Sequence, residues 1–124
     1  MSRACKFWAN ERGGGAAEFA LVLLPFAALI FAIIHLCLLF YANQTLQFAT
    51  EAAARCYSVD AVTCSTSGAA QSYAAGRYTG PNIGASFAAS ATGCGHTVTG
   101  TGSYNLSAVV VSMTVPLSVT ACFP

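Results

Sequence analysis

Charge is what this chain has least of. Only nine of its 124 residues carry a formal charge, five basic and four acidic. A soluble domain of ordinary composition has about a quarter of its residues charged, so the shortage is large. It excludes a disordered chain, because 56% of the residues are hydrophobic and disordered segments are poor in such residues. It also excludes a nucleic-acid binder of the usual kind: the net charge is +1, and no exported stretch holds the basic cluster that phosphate recognition needs. Catalytic groups are equally sparse. His96 stands alone among the residues after the apolar run, no pair of carboxylates is close in sequence, and Gly13 to Gly15 lack the Gly-Lys-Ser/Thr ending of a phosphate loop. The expectation is a chain with no enzymatic activity and no cofactor.

The few charges are unevenly placed. In order they are Arg3, Lys6, Glu11, Arg12, Glu18, Glu51, Arg55, Asp60 and Arg77, so four of the nine precede residue 13. None occurs from Phe19 to Thr50, and Phe19 to Ala42 is apolar apart from Pro25 and His35. Those 24 residues exceed the roughly 20 that carry a helix across a bilayer core. A secretory signal has a shorter apolar region, about 7–15 residues, followed by a small-residue cleavage site. Tyr41-Ala-Asn-Gln-Thr45 is a poor one, and the expected segment is a retained transmembrane helix. Arg3, Lys6 and Arg12 on its short flank keep the N-terminus cytoplasmic and place residues from about 43 onward outside.

The junction reads Arg12-Gly-Gly-Gly-Ala-Ala-Glu18-Phe19-Ala-Leu-Val-Leu-Leu-Pro25. A carboxylate at the start of an apolar span is costly to bury, and it marks a functional hypothesis. Glu18 alone also reads as a helix-start acid at the lipid headgroups, where negative charge is favoured. The three glycines before it add a flexible tract of the kind a peptidase threads.

Gly13, then four residues, then Glu18-Phe19 and an unbroken apolar helix resemble the processing site of type IV prepilins. The fuller run is similar to TadE-like pseudopilins of the tight-adherence (Flp) pilus system, and the resemblance continues through Phe40-Tyr-Ala-Asn-Gln44 and Ala49-Thr-Glu-Ala-Ala-Ala-Arg55, covering about residues 12–57. It implies cleavage by a prepilin peptidase between Gly13 and Gly14, leaving 111 residues with Glu18 fifth. It implies that Glu18, with Phe19 beside it, registers the subunit by accepting an N-terminal amine during assembly. The implied partners are the peptidase, other pseudopilins and the Flp pilin, the inner-membrane assembly platform and membrane lipid. Many family members carry an acid near the outer end of the span, where this chain has His35; the bland reading of His35 is a polar residue bonded to a backbone carbonyl or water.

Beyond the span, Leu46, Ala49, Ala53 and Cys56 recur at spacings of three to four and form an apolar stripe, opposite Gln44, Gln47, Glu51 and Arg55. The stripe must pack on something, first of all on the chain's own C-terminal part. After Ser58 the composition turns to Ser, Thr, Gly and Ala. Ser67 to Ala75 reads as a helix capped by Ser67 and stopped by Gly76, and Gly84 to Gly95 is open between loop and weak alanine helix. Ala108 to Val115 is the best strand, with Val109, Val111, Met113 and Val115 inward. Thr97 to Thr101 is its candidate partner, and Leu117 to Ala121 is a candidate third strand after Pro116. The expected fold is α+β: a leader 1–13, a transmembrane and stalk helix 14–57 with its span at about 19–42, and a periplasmic head 58–124 of one short helix and two or three antiparallel strands.

So small a head with few large side chains usually needs covalent staples. Cys5 lies in the leader and Cys37 in the span, which leaves Cys56, Cys64, Cys94 and Cys122. Four cysteines allow three pairings, of which Cys56–Cys64 with Cys94–Cys122 is favoured. A zinc site is the alternative, disfavoured because no C-x-x-C pair is present. Three functions fit: a minor pseudopilin of a tight-adherence pilus, a major filament subunit, or a membrane-anchored binding domain that is never processed. Flp major pilins are much shorter, which favours the minor component.

Overall fold

The computed structural model describes residues 14–108 and 111–124, with Ala108 described in its backbone alone. The expected leader 1–13, with Gly13 and Cys5, and the expected strand position Val109 lie outside the described residues. The elements are α1 (Gly14–Val59), α2 (Ser67–Arg77), β1 (Ser86–Thr92), β2 (Gly95–Ala108) and β3 (Val111–Phe123). The chain divides into a first unit ending at Ile34 and a second from His35 to Pro124.

In the first unit α1 is long and apolar enough to cross a membrane. Its side chains are bare: Phe19, Leu21, Leu24 and Phe26 are all more than half exposed. Pro25 sits inside the helix and withholds the N–H that the Leu21 carbonyl would otherwise accept, a defect that membrane helices tolerate.

In the second unit the rest of α1 acquires a core. Leu46, Ala49, Ala53 and Cys56 are buried, and Gln44, Gln47, Glu51 and Arg55 on the other side are exposed, so the apolar stripe does pack on the chain's own C-terminal part. Ala42 and Leu46 meet Ile83 and Tyr104; Ala53 and Ala54 meet Ala74 and Val98; Cys56 meets Cys64 and Ala70. Thr50 is buried too, but its hydroxyl donates to the Leu46 carbonyl at 2.7 Å, which satisfies it locally.

α2 is capped by Thr66 rather than Ser67: the Thr66 hydroxyl accepts from the Ala69 N–H, the ordinary N-cap bond. Gly76 does not stop it. The helix runs on to Arg77 and is closed by the Tyr78 N–H bonding back to the Ala74 carbonyl. Ala70 and Ala74 turn inward.

The sheet is three-stranded and antiparallel in the order β1-β2-β3. The undecided stretch after Gly84 is β1, paired from Ser86↔Thr101 to Thr92↔Gly95. The turn into β2 relies on Gly95 at φ +126, where a side chain would be strained. β2 and β3 form one long hairpin from His96↔Phe123 to Ala108↔Val111. Thr97 to Thr101 therefore pairs with Ser118 to Cys122, and Val111 to Val115 pairs with Tyr104 to Ala108. Pro116 does not break β3. It lies opposite Ser103, whose N–H donates to the Ile83 carbonyl on the β1 side, so Pro116 turns its nitrogen to the open edge, where the sheet asks for no donor.

The inward face carries Val98, Gly100, Gly102, Tyr104, Phe87, Ala89 and Val119. At Gly100 the backbone comes so near α1 that a Cβ would stand 2.6 Å from Thr50 Oγ1. The outward face is hydroxylated: Ser86 pairs with Thr101 at 2.9 Å, Thr99 with Thr120 at 3.2 Å, and Thr114 donates to Asn105 at 3.0 Å. Val111 and Met113 do not reach the core. They are 58% and 57% exposed, because the hairpin runs past the end of β1, whose last pair on that side is Ser86↔Thr101.

Candidate functional site

The sequence points to Gly13, Gly14, Glu18 and Phe19. Gly13 lies outside the described residues. Gly14 is the first residue of α1, and Glu18 and Phe19 follow on the same helix, both exposed. Among the described residues a Cβ on Gly14 or on Gly15 would meet nothing within 4 Å. Packing among the described residues thus does not demand those glycines. Their smallness and flexibility are available to whatever approaches the helix start. The Glu18 carboxylate stands just inside that start, beside the bare Phe19, which is 67% exposed. Near a hydrocarbon boundary a lone carboxylate is expensive and one paired with an amine far less so.

The four candidate cysteines form two bonds. Cys56 is joined to Cys64 with 5.7 Å between Cα atoms, and Cys94 to Cys122 with 6.5 Å. The first closes the turn after α1, and the second ties the β1–β2 turn to the end of β3. Cys37 is free and exposed. Because all four thiols are used in pairs, the head offers no tetrathiolate for zinc.

Every formal charge of residues 35–124 lines one open depression of about 820 Å³. Glu51, Arg55, Asp60 and Arg77 surround it, with Phe48, Val59 and Phe123 among its apolar lining. Glu51 accepts from Gln47 at 3.0 Å, and Arg77 lies 4.9 Å over the Tyr73 ring while donating to its hydroxyl at 2.8 Å. Asp60 Oδ1 accepts from the N–H groups of Thr63 at 2.9 Å and Val62 at 3.0 Å. Donation from Thr63 above all, with Val62 helping, holds the Asp60 carboxyl below the ordinary carboxylate range. The three strands carry no formal charge anywhere.

At the other end of the core, His35 meets a side chain from β2. Its Nδ1 faces the Tyr104 hydroxyl at 3.4 Å. Nearby, Tyr78 donates to the Pro81 carbonyl at 2.6 Å and Tyr41 to the Thr79 carbonyl at 3.3 Å. Burial pushes the Tyr78 phenol up, so it stays a neutral donor. Tyr104 is the residue that sequence reasoning missed. Its signal was the alternation Val98-x-Gly100-x-Gly102-x-Tyr104-x-Leu106, which marks one face but not the partner 69 positions away.

Residues 13–55 match the family model described as TadE-like protein, the family that the same stretch resembles by its motif. The match takes in Gly14, Glu18, Phe19 and the whole apolar run. A search of curated proteins gave no match, and a search of solved structures gave none.

Proposed function

From the TadE-like match over residues 13–55, we propose that this chain is a structural component of a tight-adherence pilus system: a minor pseudopilin, cut between Gly13 and Gly14 by a prepilin peptidase and needed for pilus assembly. The observation that carries this reading is the glycine-led helix start that leads into Glu18-Phe19 and a bare apolar run. α1 holds the subunit in the bacterial inner membrane with the N-terminus cytoplasmic and the stapled head in the periplasm, an oxidising place where disulfides persist. Cleavage frees an α-amino group one helical turn before Glu18. The Glu18 carboxylate then accepts a neighbouring subunit's amine, and other pseudopilins, the Flp pilin and the assembly platform are its partners. The role is assembly rather than catalysis.

Mass spectrometry of the membrane-extracted protein tests the processing step. A mature N-terminus at Gly14 supports it, and an intact Met1 or Ser2 start identifies an unprocessed membrane-anchored domain instead. Glu18→Gln tests the assembly step: processing continues while pull-down of partner pilins is lost. Unchanged pull-down removes the role assigned to Glu18. Abundance in sheared surface filaments would make the chain a major subunit, and scarcity a minor one.

A further inference from the structure

The head is electrically lopsided. Glu51, Arg55, Asp60 and Arg77 all line the depression at the end of the core where β3 finishes, and the opposite end carries no formal charge. That opposite end is tied to the apolar run of α1. Moving along β2, Val98 meets Ala53 and Ala54, Gly100 approaches Thr50 and Leu46, and Tyr104 meets Ala42 and reaches His35. β2 therefore descends α1 towards the helix's N-terminal side, and His35 is seven residues inside the apolar run that ends at Ala42.

The hairpin does not stop at Tyr104. It continues in the same direction through Leu106↔Met113 to Ala108↔Val111, roughly 13 Å further at the usual strand rise. Over that length the inward-facing side chains are Leu106, Met113 and Val111. Leu106 is half-buried against the core, but Met113 and Val111 are more than half exposed. Two large apolar side chains are thus held bare at this end of the hairpin, with no formal charge on either strand.

We propose that this end of the β2–β3 hairpin inserts Val111 and Met113 into the outer-leaflet lipid, giving the head a second contact with the membrane beside its helix. The inference rests on reading Phe19–Ala42 as a membrane span. Two observations select lipid over a protein: the hairpin is joined through Tyr104 to His35, which lies within the apolar run, and its bare end carries no formal charge. The Tyr104–His35 pair sets the depth. It holds the hairpin against the helix so that the apolar end lies in lipid and the charged depression is kept in water.

Tryptophan quenching in vesicles tests this with the full chain. In a Trp8→Phe background, single tryptophans are placed by Met113→Trp, Val111→Trp, Phe26→Trp and Val62→Trp. Each is an exposed site where the larger ring meets no packed core. The proteins are reconstituted in phosphatidylcholine vesicles with brominated acyl chains, and aqueous iodide is the opposing quencher. Expected is loss of most of the emission to brominated lipid at 26, 113 and 111, with iodide quenching at 62 alone. Quenching at 26 by lipid, with 113 and 111 quenched by iodide, overturns the hairpin contact and leaves the span intact. Shielding of 113 and 111 from both quenchers means that a second copy or another protein covers them, and it overturns the lipid contact too. An emission at 26 untouched by lipid bromine overturns the span reading and the hairpin contact with it.

Discussion

Tyr104 and His35 meet at 3.4 Å across 69 positions of the chain, and this pair joins the long hairpin to α1. Tyr104 is 8% exposed, so the ring contributes mainly by packing and the hydroxyl by one hydrogen bond. Tyr104→Phe should cost about 0.5–1.5 kcal/mol, and Tyr104→Ala about 3–5 kcal/mol through the cavity it leaves. Thermal unfolding of the detergent-solubilised protein reads both. Equal losses would mean that the ring is not held as described.

Two glycines should respond to alanine with opposite signs. At Gly100 the new methyl meets Thr50 Oγ1 at 2.6 Å, Phe87 Cε1 at 3.0 Å and Leu46 Cδ1 at 3.1 Å. Thr50 is β-branched, fully buried and bonded to the Leu46 carbonyl, so it cannot swing away, and overpacking should cost about 1–3 kcal/mol. Gly76 lies in α2 with nothing within 4 Å of the added atom. There Gly76→Ala should stabilise by about 0.4–1 kcal/mol.

The two disulfides close loops of different size, with sequence separations of 8 and 28. On the chain-entropy model, converting the first pair to alanine should cost about 2.5 kcal/mol and the second about 3.6 kcal/mol. Denaturant unfolding of Cys56→Ala/Cys64→Ala against Cys94→Ala/Cys122→Ala measures the difference. A reversed order would show that burial of Cys64, which is 1% exposed, outweighs loop size.

Asp60 gives the acid dependence. Its folded carboxyl is held below its ordinary value by donation from Thr63 and Val62. Its stabilising contribution is therefore complete above the unfolded pKa, about 3.9, and is lost as pH falls through the lower folded value. Asp60→Ala should be less stable than the parent at neutral pH, and the gap should narrow below about pH 4. Melting curves across that range check it; a gap independent of pH would mean that the Asp60 carboxylate is not what closes the turn.

What the sequence disclosed follows from periodicity. The stripe Leu46, Ala49, Ala53, Cys56 was legible because helical spacing puts those residues on one face whatever they touch. Ser86 to Thr92 was not, since its three alanines favour helix, and its strand form comes from pairing with β2. Val111 and Met113 had the right alternation and the wrong surroundings: parity fixes which face a residue takes, but not whether the core extends that far. Of the candidate site, Glu18 was legible as a misplaced charge. The bond between His35 and Tyr104 was not, because nothing local records a contact 69 positions away.

Pro116 has a bearing on how copies of this protein can associate. β3 is an edge strand of 13 residues, with hydroxyl and apolar side chains and no charge to repel a neighbour. Such an edge invites another chain to extend the sheet. Midway along it, the proline nitrogen faces outward and cannot donate, so an incoming strand finds the row of donors broken. Growth by sheet extension along this edge is discouraged.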